Sequence, residues 1–428
     1  MFEKLFDFKA FKRENVLKIV CVFSVALFLL TILASIIIHL IDENVTLILF
    51  DKKLFSDFAE DLSYCIIDNP YKNDYNIHSI YPPFAYLIFY PFALICSNPL
   101  EELIKGNIDL TEIKYSPSFV ISYILYYAIN IFIILLIVKK MSGFKGKELI
   151  YLLITVFCYG PLIYCFGRGN VLITALLFAL LFFNMYNSEK RWMRELANLC
   201  LACAVAIKIY PIILLFFFFK ERRFLDFFKT LIYSLILLFI PFLLTKGGFD
   251  NIKEIWNNFT HFNGGEGRNL DFSNISLDST ISKFVYLLEL ITKLDLKALQ
   301  GILSKLGRFS LLLIAIILPL FRKNSKLTMQ FMLLSICTYE LFQGVAYGYT
   351  MLILIAPIVI YFKEFDNFSE KDKIFYGICF ALITMQPFYA FKNYLVQAIT
   401  LIVIVIKAIK DIINDKEIKK QEELQMSE

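Results

Sequence analysis

The feature of this sequence that most constrains its fold is a series of apolar runs, about 20 residues each, that recurs along the whole chain. A run of that length is what an α-helix needs to cross the hydrocarbon core of a bilayer. Because lipid offers no partner for a free backbone N–H or C=O group, the runs are predicted to be helical. We therefore expect an all-α, polytopic transmembrane helical bundle of about ten to twelve spans. The clearest runs are Val16–Ile41, Phe119–Val138, Glu148–Phe166, Leu196–Phe219, Thr230–Leu244 and Asn393–Ile413.

Composition supports the same class and argues against others. Apolar residues make up 58% of the chain and charged residues 19%. The Lys and Arg residues stand in short clusters at the ends of the runs and form no continuous basic surface, so nucleic acid is not an expected partner. The sequence contains no HExxH or DxD pattern, and we predict no metal and no cofactor. Membrane lipids are expected partners, and the oligomeric state is left open.

The charges between the runs predict the topology. The N-terminus and three later clusters are basic, which is typical of the cytoplasmic side. These clusters are Lys220–Lys229, Arg322–Lys326 and Lys407–Lys420. Two polar stretches then lie outside: a first outer loop, residues 42–79, and a second, residues 246–307, whose periodicity predicts short helices along the membrane surface. Both termini are cytoplasmic in this arrangement, including the charged tail 415–428, and residues 1–428 form a single membrane domain.

Two of the runs are expected to be broken helices. Counting every run as a full crossing places the basic segments 139–147 and 189–194 outside, against the positive-inside rule. The run Tyr81–Cys96 contains three prolines, and Leu196–Phe219 contains Pro211 near its middle. Proline inside a helix removes a hydrogen bond and forces a break. Broken helices in membranes line binding cavities.

The first outer loop carries the candidate general base. Asp57 and Asp61 lie four residues apart, so they share one face if the segment is helical. A carboxylate just outside the first span, ahead of the rigid segment Tyr81-Pro82-Pro83, can deprotonate an acceptor hydroxyl. The competing interpretation is a solvated acidic loop with no catalytic role.

Two cations stand at unusual places in the apolar background. Arg168 lies between two glycines at the start of an apolar run, where backbone and guanidinium can approach a phosphate together. Lys208 lies about twelve residues from either end of its run, and an ionisable group at that depth indicates a functional role by default. The alternatives are an interfacial arginine and a lysine whose side chain reaches up to the membrane surface.

The second outer stretch adds polar candidates for contact with a substrate. They are His261, Glu266, Arg268, Asn274, Ser276 and Asp278. A single histidine in an outer loop is more often incidental than catalytic, so the pattern alone assigns His261 no role.

Six segments of the chain stand in an order shared with a known family. They are Asp57-Phe58, Asn69-Pro70-Tyr71, Tyr81-Pro82-Pro83-Phe84 with Pro91, Arg168-Gly169-Asn170, Lys208-Ile209-Tyr210-Pro211 and Asn274-Ile275-Ser276-Leu277. On these segments the chain resembles glycosyltransferase family 87, a branch of the GT-C superfamily of membrane enzymes that use polyprenyl-phosphate sugars. The resemblance covers residues 50–290, and the later spans match in hydropathy only.

The resemblance implies a GT-C-like fold and a metal-independent, inverting hexosyltransferase. The hexose, most commonly mannose in this family, would pass from a polyprenyl-phosphate donor to a lipid-linked or envelope glycan acceptor on the outer face of the cell membrane. Asp57 matches the position of the family's catalytic acid, and Asp61 is the second candidate. From charge and depth, Lys208, Arg168 and Arg268 are expected to bind the donor phosphate. The residues expected to contact substrate are Tyr81, Asn170, Tyr210, His261, Asn274 and Ser276.

Two other functions are compatible with the sequence. A secondary transporter also has broken helices and buried charges, but many transporters carry an inverted repeat, and no internal repeat is visible here. A non-catalytic partner in envelope glycan assembly is the second alternative. Loss of lipid-linked sugar transfer in Asp57→Asn, with membrane insertion retained, would distinguish the enzyme from both.

Overall fold

A computed structural model of the chain describes residues 12–41, 55–73, 78–109, 112–263, 274–322, 327–385 and 394–415. These residues are largely helical and form no strand, apart from an isolated bridge between Asn274 and Tyr347. Their α-helices are α1 (Arg13–Ile41), α2 (Ser56–Ile66), α3 (Phe84–Ile95), α4 (Ser97–Ile104), α5 (Pro117–Ser142), α6 (Gly146–Phe157), α7 (Gly160–Arg168), α8 (Leu172–Met185), α9 (Arg191–Ile207), α10 (Phe217–Lys220), α11 (Phe224–Phe239), α12 (Asn251–Asn263), α13 (Leu277–Thr292), α14 (Lys297–Phe321), α15 (Thr328–Phe342), α16 (Ile355–Lys363), α17 (Glu370–Ile383) and α18 (Tyr394–Ile413). The longer 3-10 helices are Tyr210–Phe216, Ile240–Leu244 and Gly348–Leu354.

Four helical segments are long and apolar enough to cross a membrane, judged by length and composition within the described residues. They are Arg13–Ala34, Pro117–Ser142, Phe224–Leu244 and Lys297–Phe321. Two bent helix pairs, α3 with α4 and α6 with α7, raise the number to six. The predicted class, a polytopic all-α membrane protein, is confirmed. The figure of about ten to twelve crossings stays a prediction, because further apolar helices such as α8 are shorter than 18 residues.

The predicted break in the run Leu196–Phe219 is confirmed. Helix α9 ends at Ile207, and Lys208 caps it in an extended conformation before the 3-10 helix Tyr210–Phe216. Pro211 explains this end, because a proline ring clashes with the carbonyl four residues earlier, which belongs to Ile207.

The same rule corrects one predicted span. The run Glu148–Phe166 is not a single helix but the pair α6 and α7, bent by 44°. Pro161 lies in the first turn of α7, and the carbonyl four residues earlier belongs to Phe157, where α6 ends.

The run Tyr81–Cys96 is also broken, although not at its prolines. Pro83 caps the N-terminus of α3, and Pro91 lies inside this helix. The chain turns by 105° between α3 and α4, next to Cys96. Helix α3 has 12 residues, which corresponds to about 18 Å and is short of the hydrocarbon core of about 30 Å.

The interior of the bundle is formed by α8, α9 and α15, whose side chains are mostly buried. Helices α11 and α14 instead expose large apolar side chains such as Leu225 and Phe321, as expected for surfaces that face lipid. Helix α2, from the segment predicted to be the first outer loop, packs against α3 and α4 and touches α7. It therefore lies over the breaks at the ends of α7 and α9, where the candidate site is found.

Candidate active site

Helix α2 holds Asp57 in its first turn, where the helix dipole favours a carboxylate. The next residue, Phe58, is fully buried, and its ring packs edge-on against Tyr123 at a centroid distance of 5.3 Å. Phe55, just before α2, donates its backbone N–H to Gly167 O at 2.9 Å. These contacts set the rotation of α2, so that Asp57 faces the end of α7.

The turn after α7 brings α7 and α2 into close approach. Gly169 ends α7 with a φ of 77°, a left-handed conformation that glycine adopts without strain. A Cβ at this position would lie 2.5 Å from Phe58 Cβ, so a larger residue does not fit between the two helices. From α5, the Tyr127 hydroxyl lies 3.0 Å from Cys165 O and 3.1 Å from Asn170 O and holds the turn in place.

Asp57 accepts hydrogen bonds from two residues of this turn. Arg168 Nη2 lies 2.5 Å from Asp57 Oδ1, and Asn170 Nδ2 lies 2.8 Å from Oδ2. The same Asn170 nitrogen lies 3.3 Å from the Tyr81 hydroxyl. The side chains of Asp57 and Arg168 are 13% and 27% exposed, so the ion pair is largely shielded from solvent and not fully buried. Arg168 is also the last residue of α7, where the helix dipole favours a cation.

Lys208 joins this network through Asn170. It is 4% exposed, and its Nζ donates to Asn170 Oδ1 at 2.9 Å. Nζ also lies 4.9, 5.9 and 5.5 Å from the ring centroids of Tyr81, Tyr210 and Tyr349, an environment that stabilises an ammonium away from water. Among the described residues no carboxylate is within ion-pair distance of Nζ, so this ammonium keeps N–H donors for a ligand. We call Asp57, Tyr81, Arg168, Asn170 and Lys208 the Asp57 cluster.

Asp61 lies one turn after Asp57 in a different environment. It is 2% exposed, and its Oδ2 has no hydrogen-bond partner in the part of the chain that the structure describes. Burial raises the pKa of Asp61 well above its ordinary value, and the nearby Asp57 carboxylate raises it further, while Lys208 acts in the opposite direction. Asp57, which is partly open and held by two donors, is therefore the better placed of the two acids to accept a proton from a substrate.

Glu340 is a buried carboxyl that the sequence analysis did not single out. It lies on α15, is 0% exposed and accepts a hydrogen bond from the Thr350 hydroxyl. Its Oε1 has no hydrogen-bond partner within the described ranges. An acid in the middle of an apolar run was the signal that could have found it, by the same argument that singled out Lys208. Tyr349 carried no comparable signal.

Tyr210 lies beside the Asp57 cluster, whereas Asn274 and Ser276 do not join it. The Tyr210 ring packs against Tyr339 at 5.0 Å and faces Lys208. Asn274 and Ser276 are fully buried, and both side chains donate to Gly344 O at 3.2 Å. The Asn274 Oδ1 also accepts the backbone N–H groups of Ser276 and residue 346, so both side chains are used to join the start of α13 to the end of α15.

His261 is not part of the observed cluster, and the position of Arg268 is not described. His261 is exposed on α12, and within the described residues it makes no contact with the Asp57 cluster. Helix α12 is tied to the segment between α2 and α3 through Asn258, whose amide lies 3.0 Å from both Tyr71 O and Ser79 O. Arg268 lies outside the described residues.

Metal ligands do not converge anywhere in the described ranges: no group of three or more His, Cys, Asp or Glu side chains is placed to hold an ion. One spacing that the sequence analysis passed over is Cys200-x-x-Cys203 on α9, and both thiols are free.

The arrangement combines a proton acceptor with two cations in one cluster. The Asp57 carboxylate is held in place by Arg168 and Asn170, and Lys208 presents unused N–H donors beside them. A carboxylate so placed can take a proton from a hydroxyl, while fixed cations in a shielded site stabilise an anion that develops nearby. The set suits a transfer in which the nucleophile loses a proton and the leaving group carries negative charge.

Comparison with known proteins identifies the family. No curated protein matches the chain at a significant level. The profile of glycosyltransferase family 87 matches residues 80–342, which is more than half of the chain. The match includes Tyr81, Arg168, Asn170 and Lys208 and begins after Asp57. The chain belongs to glycosyltransferase family 87.

Proposed function

We propose that this glycosyltransferase moves a hexose, with mannose the first to test, from a polyprenyl-phosphate donor to a lipid-linked or envelope glycan acceptor on the outer face of the membrane. The observation that carries the proposal is the shielded network in which Arg168 and Asn170 hold the Asp57 carboxylate and Lys208 shares the Asn170 amide. Family membership supplies the class of reaction, and the cluster supplies the groups that such a reaction needs.

In the proposed reaction Asp57 is the general base. Its carboxylate takes the proton of the acceptor hydroxyl as that oxygen attacks the anomeric carbon of the hexose. The bond between the anomeric carbon and the phosphate oxygen breaks in the same displacement, and its electron pair leaves with the polyprenyl phosphate. A single displacement of this kind inverts the configuration at the anomeric carbon and needs no metal.

Lys208 is proposed to stabilise the departing phosphate. It is buried, it has N–H donors beyond its bond to Asn170, and it lies against the rings of Tyr81 and Tyr210. A cation in such a shielded place interacts more strongly with a developing charge than it would in water. Arg168 contributes a second positive charge next to the base, and Tyr81 and Tyr210 are proposed to contact the donor.

An apolar cavity beside the cluster supports a lipid-linked donor. Its volume is about 930 Å³, within the range of about 300–1,000 Å³ that is usual for ligand sites. Its walls include Pro82 and Ile209, which directly follow Tyr81 and Lys208 in the chain. Large apolar side chains complete much of the lining: Leu238, Phe239, Phe242, Phe249 and Trp256. A phosphate at Lys208 would thus have an apolar space next to it for the attached hydrocarbon chain.

The outer-face location is proposed from the charges along the sequence. The basic N-terminus precedes the first span, and Asp57 follows that span, so a cytoplasmic N-terminus places the Asp57 cluster outside. The basic C-terminal segment would then also be cytoplasmic.

Asp57→Asn tests the proposal. In membranes supplied with radiolabelled polyprenyl-phosphate mannose and acceptor glycolipids, this variant is expected to lose transfer by about 10²–10⁴-fold, the usual contribution of a general base. Asp68→Asn is the matched control, because Asp68 lies in the same loop and its side chain is 81% exposed. Immunoblotting of the membranes checks that the three proteins are present in equal amounts.

Transfer that persists in Asp57→Asn would show that Asp57 is not the base. If the purified wild-type protein instead carries free hexose into liposomes and transfers none, the transporter alternative would replace the proposed function.

A further inference from the structure

Arg308 is a cation on the helix that the structure leaves most open to lipid. Of the four long candidate spans, α14 has the smallest buried share, 11% of its apolar window. Its neighbouring side chains Leu306 and Phe309 are each 61% exposed. The Arg308 guanidinium carbon lies 5.7 Å from the centroid of the Phe342 ring at the end of α15, and the Phe309 ring packs against the same ring at 6.1 Å.

Arg308 has no anionic partner in the part of the chain that the structure describes. Its Nε is buried without a hydrogen-bond partner, and no carboxylate lies within ion-pair distance of the guanidinium. It stands at the boundary of α14 between the mixed segment 297–307 and the apolar segment 309–321. An unpaired cation at such a boundary is costly in apolar surroundings and calls for an anion.

Other polar groups without hydrogen-bond partners lie close in sequence to Arg308 and to Phe342, the residue that Arg308 contacts. Ser304, one turn earlier on α14, is 4% exposed, and its hydroxyl has no partner among the described residues. Gln343 directly follows Phe342, and its amide oxygen and nitrogen are both buried without partners in the same ranges. The hydroxyl of Tyr339, one turn before Gln343, is also buried without a hydrogen-bond partner in these ranges. Buried polar groups are normally bonded, so several orphans in one place indicate a polar ligand.

The position of this group relative to the Asp57 cluster is defined by packing. Helix α14 touches the 3-10 helix that begins at Tyr210, and the Tyr210 ring packs on Tyr339. Gly307 lies against the start of α13, where a Cβ would be 2.9 Å from Leu277 Cδ2. Helix α14, which carries Arg308, therefore packs next to the segments that hold Tyr210 and Tyr339, whereas Lys208 lies against the Tyr210 ring within the cluster.

We propose that Arg308 and Gln343 form a subsite for the phosphate group of a membrane lipid. A guanidinium offers a planar fork of donors that matches two phosphate oxygens, and the Gln343 amide can donate to a third. Lipid phosphates lie at the boundary between polar and apolar layers, and the exposed face of α14 lets a headgroup enter from the side. The subsite goes beyond the proposed function, because it binds a lipid phosphate whether or not a sugar is transferred.

The test uses the purified full-length chain in detergent, with a short-chain polyprenyl phosphate, the corresponding polyprenol and phosphatidylglycerol as probes. Binding is measured by native mass spectrometry. Arg308→Gln is expected to weaken binding of a phosphate lipid by about tenfold or more, as expected for the loss of a charged hydrogen bond, and to leave polyprenol binding unchanged. Lys305→Gln is the matched control, because it removes the same charge from an exposed position on the same helix. Gln343→Leu is expected to weaken binding of the same phosphate lipid. It is the test variant to use if Arg308→Gln does not fold.

The two phosphate lipids separate the sources of the ligand. A loss confined to polyprenyl phosphate assigns the subsite to the donor or its product, and a loss confined to phosphatidylglycerol assigns it to a bilayer phospholipid; both support the subsite. Equal binding by wild type, Arg308→Gln and Gln343→Leu for both lipids would overturn it, as would an equal loss in Lys305→Gln. These results are independent of Asp57→Asn, so the subsite and the proposed transfer can fail separately.

Discussion

Replacing Arg168 by glutamine is expected to destabilise the folded protein by about 2 kcal/mol, because Asp57 then keeps its charge without its cation. The magnitude follows from the exposure of the two side chains. Exposed ion pairs contribute about 0.2–1 kcal/mol, whereas breaking a buried pair costs about 3–5 kcal/mol. The Arg168 and Asp57 side chains are 27% and 13% exposed, and Asn170 keeps its bond to the carboxylate. The expected loss therefore lies between the two limits.

A double-mutant cycle measures the interaction without any substrate. The cycle consists of wild type, Asp57→Asn, Arg168→Gln and the double variant, purified in one detergent and followed by thermal unfolding. Each single variant leaves an uncompensated group in a shielded place, so both are expected to unfold below the wild-type temperature. The double variant removes both charges. Its loss of unfolding free energy is expected to be smaller than the sum of the two single losses by about 2 kcal/mol, which is within the range of interaction energies measured for residues in direct contact.

The exposed pair of Lys246 with Asp68 provides the control. These side chains are 75% and 81% exposed at a distance of 3.4 Å, so Lys246→Gln is expected to change stability by no more than about 0.5 kcal/mol. Strictly additive losses for Asp57→Asn and Arg168→Gln would refute the argument, because they would show that the two side chains do not interact in the folded protein.

Two further predictions concern the supports of the cluster. Gly169→Ala is expected to lower both thermal stability and sugar transfer, since the new Cβ would lie 2.5 Å from Phe58 Cβ at a φ of 77°. Gly106→Ala is the control, because Gly106 also has a positive φ but open space around it. Its effect measures backbone strain alone, without the steric clash. Burial raises the pKa of Asp61 above its ordinary 3.8, so the folded protein binds the carboxyl proton more tightly than the unfolded chain does. The free energy of unfolding therefore falls as the pH rises from about 3.8 through the pKa of Asp61 in the folded protein. Asp61→Asn is expected to remove this pH dependence of the unfolding temperature, and an unchanged slope would count against a buried, neutral Asp61.

The helical class and one of the breaks were predictable because both depend on local chemistry. Apolar runs in lipid must bond their own backbone, which leaves the helix as the solution. Pro211 removes a donor and collides with the carbonyl of Ile207, so the end of α9 could be inferred from the sequence. The position of the break near Cys96 was not predictable in this way, because Pro91 is accommodated inside α3 and the turn depends on how α4 packs.

The cluster was predictable only in part, for a physical reason. Asp57, Arg168 and Lys208 are ionisable groups in an apolar background, and their cost in lipid marks them without any knowledge of the fold. That Asn170 bonds both Asp57 and Lys208 depends on the approach of α2 to the turn after α7, which no local pattern encodes. Glu340 carried the same kind of signal as Lys208 and was passed over.

Helix breaks also explain why several polar residues near the site support the fold. A break frees backbone carbonyls that lipid cannot bond, so neighbouring side chains must bond them. Tyr127 lies against carbonyls at the end of α7, and Asn274 and Ser276 bond Gly344 O after α15. These side chains direct their polar atoms to the backbone, whereas Lys208 bonds one side chain and keeps donors free. Unused hydrogen-bonding capacity, more than polarity or depth alone, separates the residues proposed to bind substrate from those that hold the breaks together.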